Sequence, residues 1–270
     1  MFVDSHCHLS DGSLLPQLDT VLQQMHLAQV HAALCVSTTL DDLVTVQEVI
    51  EQYPHLWGSV GVHPSDLEGT VAVTKEQLIE KTAHEKIVAI GETGLDYHWH
   101  DKNAEQGIGW QHDRFAMHIE AARATGLPLI IHTRDSIDDT LFILKQALNQ
   151  PGTLKGVFHC FTENRENAKK ALDLGFYLSF SGIVTFKNAL ELKEVARFAP
   201  RDACLIETDS PYLAPVPYRG KLNTPAYVPY VAAALADLWQ MKVEQVGEIT
   251  TQNFGRLFHK VQLNQPINDS

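Results

Sequence analysis

The chain has few cysteines, no basic excess and no long apolar run, and each shortage closes a class of explanation. Its four cysteines, Cys7, Cys35, Cys160 and Cys204, show no C-x-x-C spacing and all fall in strand-like runs. That argues against a disulfide framework and for reduced packing residues of a cytoplasmic protein. No stretch approaches the ~18 consecutive apolar residues of a membrane span. The first residues lack a basic segment followed by an apolar run, so no secretory leader is expected. Lysine and arginine number 21 against 33 aspartates and glutamates, a formal net charge of −12. This balance argues against broad, non-specific coating of DNA, which needs a basic face. It leaves room for a nuclease whose bound cations supply local positive charge. No internal repeat or low-complexity block stands out. Only the tail over 263–270 reads as a frayed end, which leaves residues 1–262 as one domain.

What the chain does have is a set of short apolar runs with helical patterns between them. The runs are 2–8, 32–37, 56–63, 86–94, 127–133, 156–161, 176–182 and 203–210. Strands alternating with helices imply parallel βα units, and near-continuous apolarity fits strands covered on both faces. In "DRFAMHIEAARAT", Phe115, Ile119 and Ala122 form one helical stripe. Ser136 and Asp139 are expected to cap a helix whose Leu141, Leu144 and Leu148 share a face. Thr224 and Pro225 are expected as N-cap and first residue of another, with Val228, Val231 and Leu235 inward. Eight such units in 270 residues predict a single α/β domain, a (β/α)8 TIM-type barrel. A doubly wound sheet is the alternative, but no G-x-G-x-x-G follows the first run.

In a (β/α)8 barrel the active site forms at the C-terminal ends of the strands. The first run, "FVDSHCH", places His6 and His8 on one face and Cys7 on the other. Two imidazoles on one face can ligate one cation. A lone His-x-His is equally compatible with ordinary hydrogen bonding, so the other strand ends decide. Strand 3 ends at His63, strand 4 at Glu92, strand 5 at His132, strand 6 carries His159, and strand 8 ends with Glu207 and Asp209. Six of eight strands thus deliver a ligand-type residue to one face, which a set of unrelated structural residues does not explain.

The ordered motifs "VDSHCHL" (3–9), "GVHP" (61–64), "GETGLDY" (91–97), "IHTRD" (131–135), "FHCF" (158–161), "ETDSPYLAP" (207–215) and "RGKLNTP" (219–225) resemble the TatD family of metal-dependent hydrolases, within the amidohydrolase-type barrels. "GFYLSFSGIVTF" and "TTQNFGRLFH" resemble its YcfH-like subgroup. The resemblance implies an adjacent pair of divalent cations: Zn, Mn, Co, Ni or Mg. His6, His8 and Asp209 would hold one, His132 and His159 the other, and Glu92 would bridge them. Two close dications repel, so a shared carboxylate is a physical requirement. Asp209 is expected to double as general base, and Glu207 either to orient the site or to serve as a hydrogen-bond partner behind it.

Beyond the ligands, His63 is expected to donate to a substrate phosphate. Arg219, with Lys221 nearby, lies where the family places a phosphate-handling arginine. Tyr97 or Trp99 could stack on a base. His98 and His100 repeat the His-x-His spacing but in a loop, and are not expected to bind metal. His118 departs from the family pattern, a difference that bears on substrate preference. The activity implied is a monomeric 3′–5′ deoxyribonuclease acting on single-stranded DNA or DNA ends, with no membrane partner. Two rivals stand beside it: a hydrolase of another ester or amide, such as an aminoacyl-tRNA ester, and a non-catalytic metal-binding scaffold.

Overall fold

Eight parallel strands lie side by side in chain order: β1 (Phe2–Cys7), β2 (Val30–Cys35), β3 (Leu56–Val60), β4 (Ile87–Asp96), β5 (Leu129–Arg134), β6 (Gly156–Phe158), β7 (Tyr177–Phe180) and β8 (Cys204–Ile206). The computed structural model describes residues 1–66, 73–98 and 108–263. The ends of the sheet meet through a parallel bridge between Cys7 and Ser210, with His8 N–H donating to Ser210 O (2.8 Å) and Asp209 N–H to His6 O (2.9 Å). The result is the expected (β/α)8 barrel. No helix among the described residues is long and apolar enough to cross a membrane. The tail from 264 and residues Trp99 and His100 lie outside the described residues.

Two apolar layers account for the burial of the strands. Val3, Ala32, Leu34, Val88, Ile130, Val157 and Leu205 form the interior cluster, closed from below by Phe254, Leu257 and Phe258. The last three belong to or follow α9 (Val243–Leu257). Ala33, Cys35, Leu56, Ile87, Leu129 and Cys204 face outward to the helices. There α4 (Gly109–Thr125) buries Phe115, Ile119 and Ala122, as its stripe predicts. On α8 (Val228–Trp239), Val228, Val231 and Leu235 are fully buried.

Two helix starts differ from expectation. Ser136 precedes α5 (Ile137–Leu148) but does not cap it. Its hydroxyl donates to Leu95 O (2.8 Å) and accepts from Arg134 N–H (3.1 Å), while Asp139 accepts from Tyr97 Oη (2.8 Å). Tertiary partners therefore outcompete the local cap. Pro225 opens a short 3₁₀ turn, Pro225–Tyr227, and α8 begins only at Val228.

The strand ends are also shorter than the apolar runs. His159 follows β6 by one residue, His63 follows β3 by three, and Glu207 and Asp209 lie beyond β8. Glu92, expected at a strand end, instead lies inside β4, which continues to Asp96.

Candidate metal centre

Irregular strands aim the first ligands. Val3 faces the interior, so unbroken alternation would turn His6 outward. A register shift between Asp4 and Cys7 reverses the parity and brings His6 inward beside His8. Glu92 is placed the same way, by a shift between Ile90 and Thr93. The glycines of "GETG" permit it. Gly91 (φ 149°) lies where a Cβ would meet Ile130 O at 2.7 Å, and a Cβ on Gly94 (φ 135°) would collide with the His132 carbonyl. β4 therefore presses against β5 and carries Glu92 to His132.

Four donor atoms face one another in a first set: His6 Nε2, His8 Nε2, Glu92 Oε2 and Asp209 Oδ1. His6 Nε2 is 3.2 Å from His8 Nε2, 3.4 Å from Glu92 Oε2 and 3.7 Å from Asp209 Oδ1. His8 Nε2 is 3.8 Å from Glu92 Oε2 and 3.4 Å from Asp209 Oδ1. His8 Nδ1 donates to Val36 O (3.0 Å), which leaves the lone pair of the neutral ring on Nε2. Lone pairs and carboxylate oxygens crowded in this way repel unless positive charge lies among them. Ligands held at ~2.0–2.1 Å in a tetrahedron stand ~3.4 Å apart, so the donor set fits a cation. Without one, protons compete for the place: burial disfavours a charged His8, yet Asp209 and Glu92 overcome it and push its pKa up to about 9.

A second set shares the same glutamate through its other oxygen. Glu92 Oε1 lies 2.8 Å from His159 Nε2 and 3.1 Å from His132 Nδ1, and those nitrogens are 3.3 Å apart. His63 Nε2 approaches to 3.3 Å from both Glu92 Oε1 and His132 Nδ1. Its other nitrogen settles its character. Ser65 N–H donates to His63 Nδ1 (3.1 Å), so Nδ1 holds the lone pair and the neutral ring carries its proton on Nε2. His63 thus presents a donor to the centre, not a lone pair. Burial keeps its pKa below the usual imidazole value, against the pull of Glu92.

Glu207 and Asp209 do not share a face. Asp209 adopts a left-handed backbone (φ 55°) that breaks alternation and turns its carboxylate to the cavity. Glu207 is fully buried. Its Oε1 accepts from Cys160 N–H (2.7 Å) and lies 3.3 Å from His159 Nδ1. His6 stacks on His159 with centroids 4.0 Å apart, and His6, His159 and Glu207 each bring a ligand-type atom within 4.8 Å of the others. Glu207 therefore lies beneath one ligand of each set and is not among the residues that line the cavity.

Two carboxylates that sequence reasoning passed over hold the ligands in place. Asp96 Oδ2 lies 3.1 Å from His132 Nε2, which leaves Nδ1 for the centre. Asp4 is buried between β1 and the β8 turn, where it accepts from Thr208 N–H (2.9 Å), Thr208 Oγ1 (2.5 Å) and His6 N–H (3.2 Å). Burial pushes its pKa up to about 8. Their signals were present, as the acids of "VDSHCH" and "GLDY", but nothing local distinguishes a ligand from its support.

The centre opens into a cavity of about 860 Å³ lined by His8, His63, Glu92, His132, His159 and Asp209. Expected substrate contacts fare differently. Tyr97 is buried, its hydroxyl bonded to His112 Nε2 (2.6 Å) and Asp139 (2.8 Å), and it is not among the lining residues. Among the described residues, the one Phe, Tyr or Trp that lines the cavity is Tyr212, 56% exposed and edge-on to His8 at 6.3 Å. Arg219 is exposed and stacks over Phe186 (4.1 Å) outside the lining, and Lys221 lies 5.8 Å from the Tyr218 ring. Cys160, expected as packing, lines the cavity at φ 42°. His98 is exposed and paired with Asp135 (3.0 Å). His118 is a buried structural histidine: Nδ1–H donates to Arg114 O (2.8 Å), and Nε2 accepts from Val62 N–H (3.0 Å).

A family model described as TatD related DNase matches residues 3–259. The chain is 46% identical over 261 residues to the metal-dependent hydrolase YcfH of Escherichia coli (strain K12), covering 95% of each chain. It is 41% identical to the metal-dependent hydrolase YabD of Bacillus subtilis (strain 168), covering 96% of this chain and 99% of that protein. The crystal structure of YJJV, a TatD homolog from Escherichia coli K12, superposes with a TM-score of 0.86 at 27% identity over 96% of this chain and 98% of that one.

Proposed function

The chain belongs to the TatD-related DNase family and is a metal-dependent hydrolase; from that premise we propose that it is a phosphodiesterase, a cytoplasmic, monomeric deoxyribonuclease that trims single-stranded DNA or DNA ends in the 3′–5′ direction. The observation that carries this reading is the split carboxylate of Glu92, whose Oε2 serves one donor set and Oε1 the other. His6, His8 and Asp209 would hold one divalent ion, and His132 and His159 the second. Such a pair supplies Lewis acidity to both the attacking and the leaving oxygen of a phosphoryl displacement and acidifies the attacking water.

The chain's own groups do the rest. Asp209, with Oδ1 turned to His6 and His8, takes the proton of the attacking water at Oδ2. His63 donates its Nε2–H to a phosphoryl oxygen, held in that tautomer by Ser65. Tyr212 offers its exposed ring to a base. A cavity of about 860 Å³ at the top of a barrel suits a strand end and not the middle of a duplex.

The test is a panel of single-stranded DNA, duplex DNA, RNA, aminoacyl-tRNA and a simple phosphodiester, each with protein reconstituted with Zn, Mn, Co, Ni or Mg. Exonucleolytic release of nucleotides from single-stranded DNA is expected. Turnover of the aminoacyl ester with none of any phosphodiester would overturn the proposal.

A further inference from the structure

Beside its apolar stripe, α4 buries three polar side chains: Gln111, Arg114 and His118. They recur at i, i+3 and i+7, so they share one face. Each bonds to backbone next to the second donor set. β3 pairs with β4 only as far as Ile90, while β4 runs on to Asp96. Tyr97 N–H turns toward β5, where it donates to Arg134 O, so the N–H and C=O of Asp96 turn the other way, to the edge that β3 no longer covers. Gln111 closes that edge. Its Oε1 accepts from Asp96 N–H (2.8 Å) and its Nε2 donates to Asp96 O (2.8 Å), a two-point bond that fixes which way the amide faces. Three residues on, Arg114 Nη1 donates to both His63 O and Asp66 O (2.9 Å each), with its guanidinium over the Trp110 ring at 4.7 Å. One turn further, His118 Nε2 accepts from Val62 N–H (3.0 Å).

We propose that Gln111, Arg114 and His118 are positioning residues, one buried stripe that sets His132 at one end and His63 at the other. Asp96 transmits the first hold: Gln111 grips its backbone, and its Oδ2 faces His132 Nε2 at 3.1 Å. The second hold is more direct. Val62 N–H and His63 O lie on either side of the His63 Cα, and His63 N–H donates to Thr38 O (2.8 Å). These bonds give the ring a fixed base from which Nε2 meets Glu92 Oε1. The first donor set is tied elsewhere, through His8 Nδ1 to Val36 O and Asp209 N–H to His6 O. Apolar side chains could fill the same face of α4 without desolvating an amide and a guanidinium, so the polar groups there serve geometry more than burial. For His132 the inference stands on the donor set alone. For His63 it rests on the phosphodiesterase reading and names what aims its donor.

Two measurements separate the ends of the stripe: zinc titration of dialysed protein against a chelating dye, and turnover of a simple phosphodiester by the reconstituted protein. Gln111→Met keeps the length and loses the amide. It should weaken one metal site by about 10–100-fold, as loss of a support behind a ligand does, and leave the other unchanged. In an Asp96→Asn background the same change should add less than about threefold, because both act through one contact. Arg114→Met and His118→Leu should retain both metal sites and lower kcat by about 10²-fold, the size of a misplaced group, with KM within about threefold. Arg114→Lys should fall between wild type and Arg114→Met. His118→Gln, whose amide oxygen can accept from Val62 N–H, should restore kcat to within about threefold of wild type. Ile119→Ala, a core deletion on the same helix, should move neither readout, which separates positioning from lost packing. Unchanged affinity or equal weakening of both sites in Gln111→Met, a fully additive loss with Asp96→Asn, or undiminished kcat in Arg114→Met and His118→Leu overturns the assignment. If wild type cleaves no phosphodiester, the phosphodiesterase reading falls by itself, and the Gln111 titration decides the positioning role.

Discussion

Asp96 Oδ2 stands 3.1 Å from His132 Nε2, and this contact decides which nitrogen His132 turns to the centre. With Nε2–H held by the carboxylate, Nδ1 keeps its lone pair and meets Glu92 and His159. Asp96→Asn can present its amide to Nε2 and select the wrong tautomer. Loss of such a support typically costs 10–100-fold in metal affinity. Titration against a chelating dye should show one weakened site of about that size. Unchanged affinity at every site would remove Asp96 from the centre's architecture.

Glu92 is the residue both donor sets need. Glu92→Ala should lower occupancy of both together and abolish turnover, whereas His132→Ala should deplete only its own set. Elemental analysis after dialysis measures this directly. Two equivalents of metal retained in Glu92→Ala would refute a shared carboxylate.

Asp209 separates binding from proton transfer. Asp209→Asn keeps an oxygen for a cation but accepts no proton, so the rate should drop ~10²–10⁴-fold while part of the metal remains. Rates within about threefold of wild type, at equal metal content, would exclude it as the base.

His118 links the fold to pH. Burial, reinforced by the Arg114 charge, lowers its pKa from 6.5 to about 4, although the Arg114 carbonyl pulls the other way. The unfolded chain therefore binds the proton first. The stability that neutral His118 provides is present above about pH 6.5 and is lost as pH falls toward 4. Between pH 7 and pH 5 the loss should be about 2 kcal/mol. Urea unfolding of wild type and His118→Gln at both values isolates it, since other titrating groups are common to the two proteins. Equal pH dependence in both would show that His118 does not titrate with folding.

His98 forms an exposed pair with Asp135, and its ring belongs to neither donor set. His98→Ala should leave metal content and turnover unchanged and alter stability by less than about 1 kcal/mol. Loss of a metal equivalent would show that this histidine is a ligand.

Local chemistry determined much of this protein before any tertiary contact. Apolar runs alternating with helical stripes specify parallel βα units, and a ligand-type residue after so many of them specifies where the chemistry gathers. Strand alternation also pairs His6 with His8, because it acts over a single residue. What alternation cannot carry is parity across an irregularity. His6 and Glu92 face inward because of register shifts that depend on neighbouring strands, and Asp209 parts from Glu207 because its backbone turns left-handed just past β8. The same limit governs the roles of polar side chains. Asp96 and Asp4 support ligands, Ser136 serves the barrel instead of its helix, and Tyr97 is tied inward while Tyr212 faces the cavity. Each outcome is a choice among hydrogen-bond partners distant in sequence, and only the folded barrel brings those partners within reach.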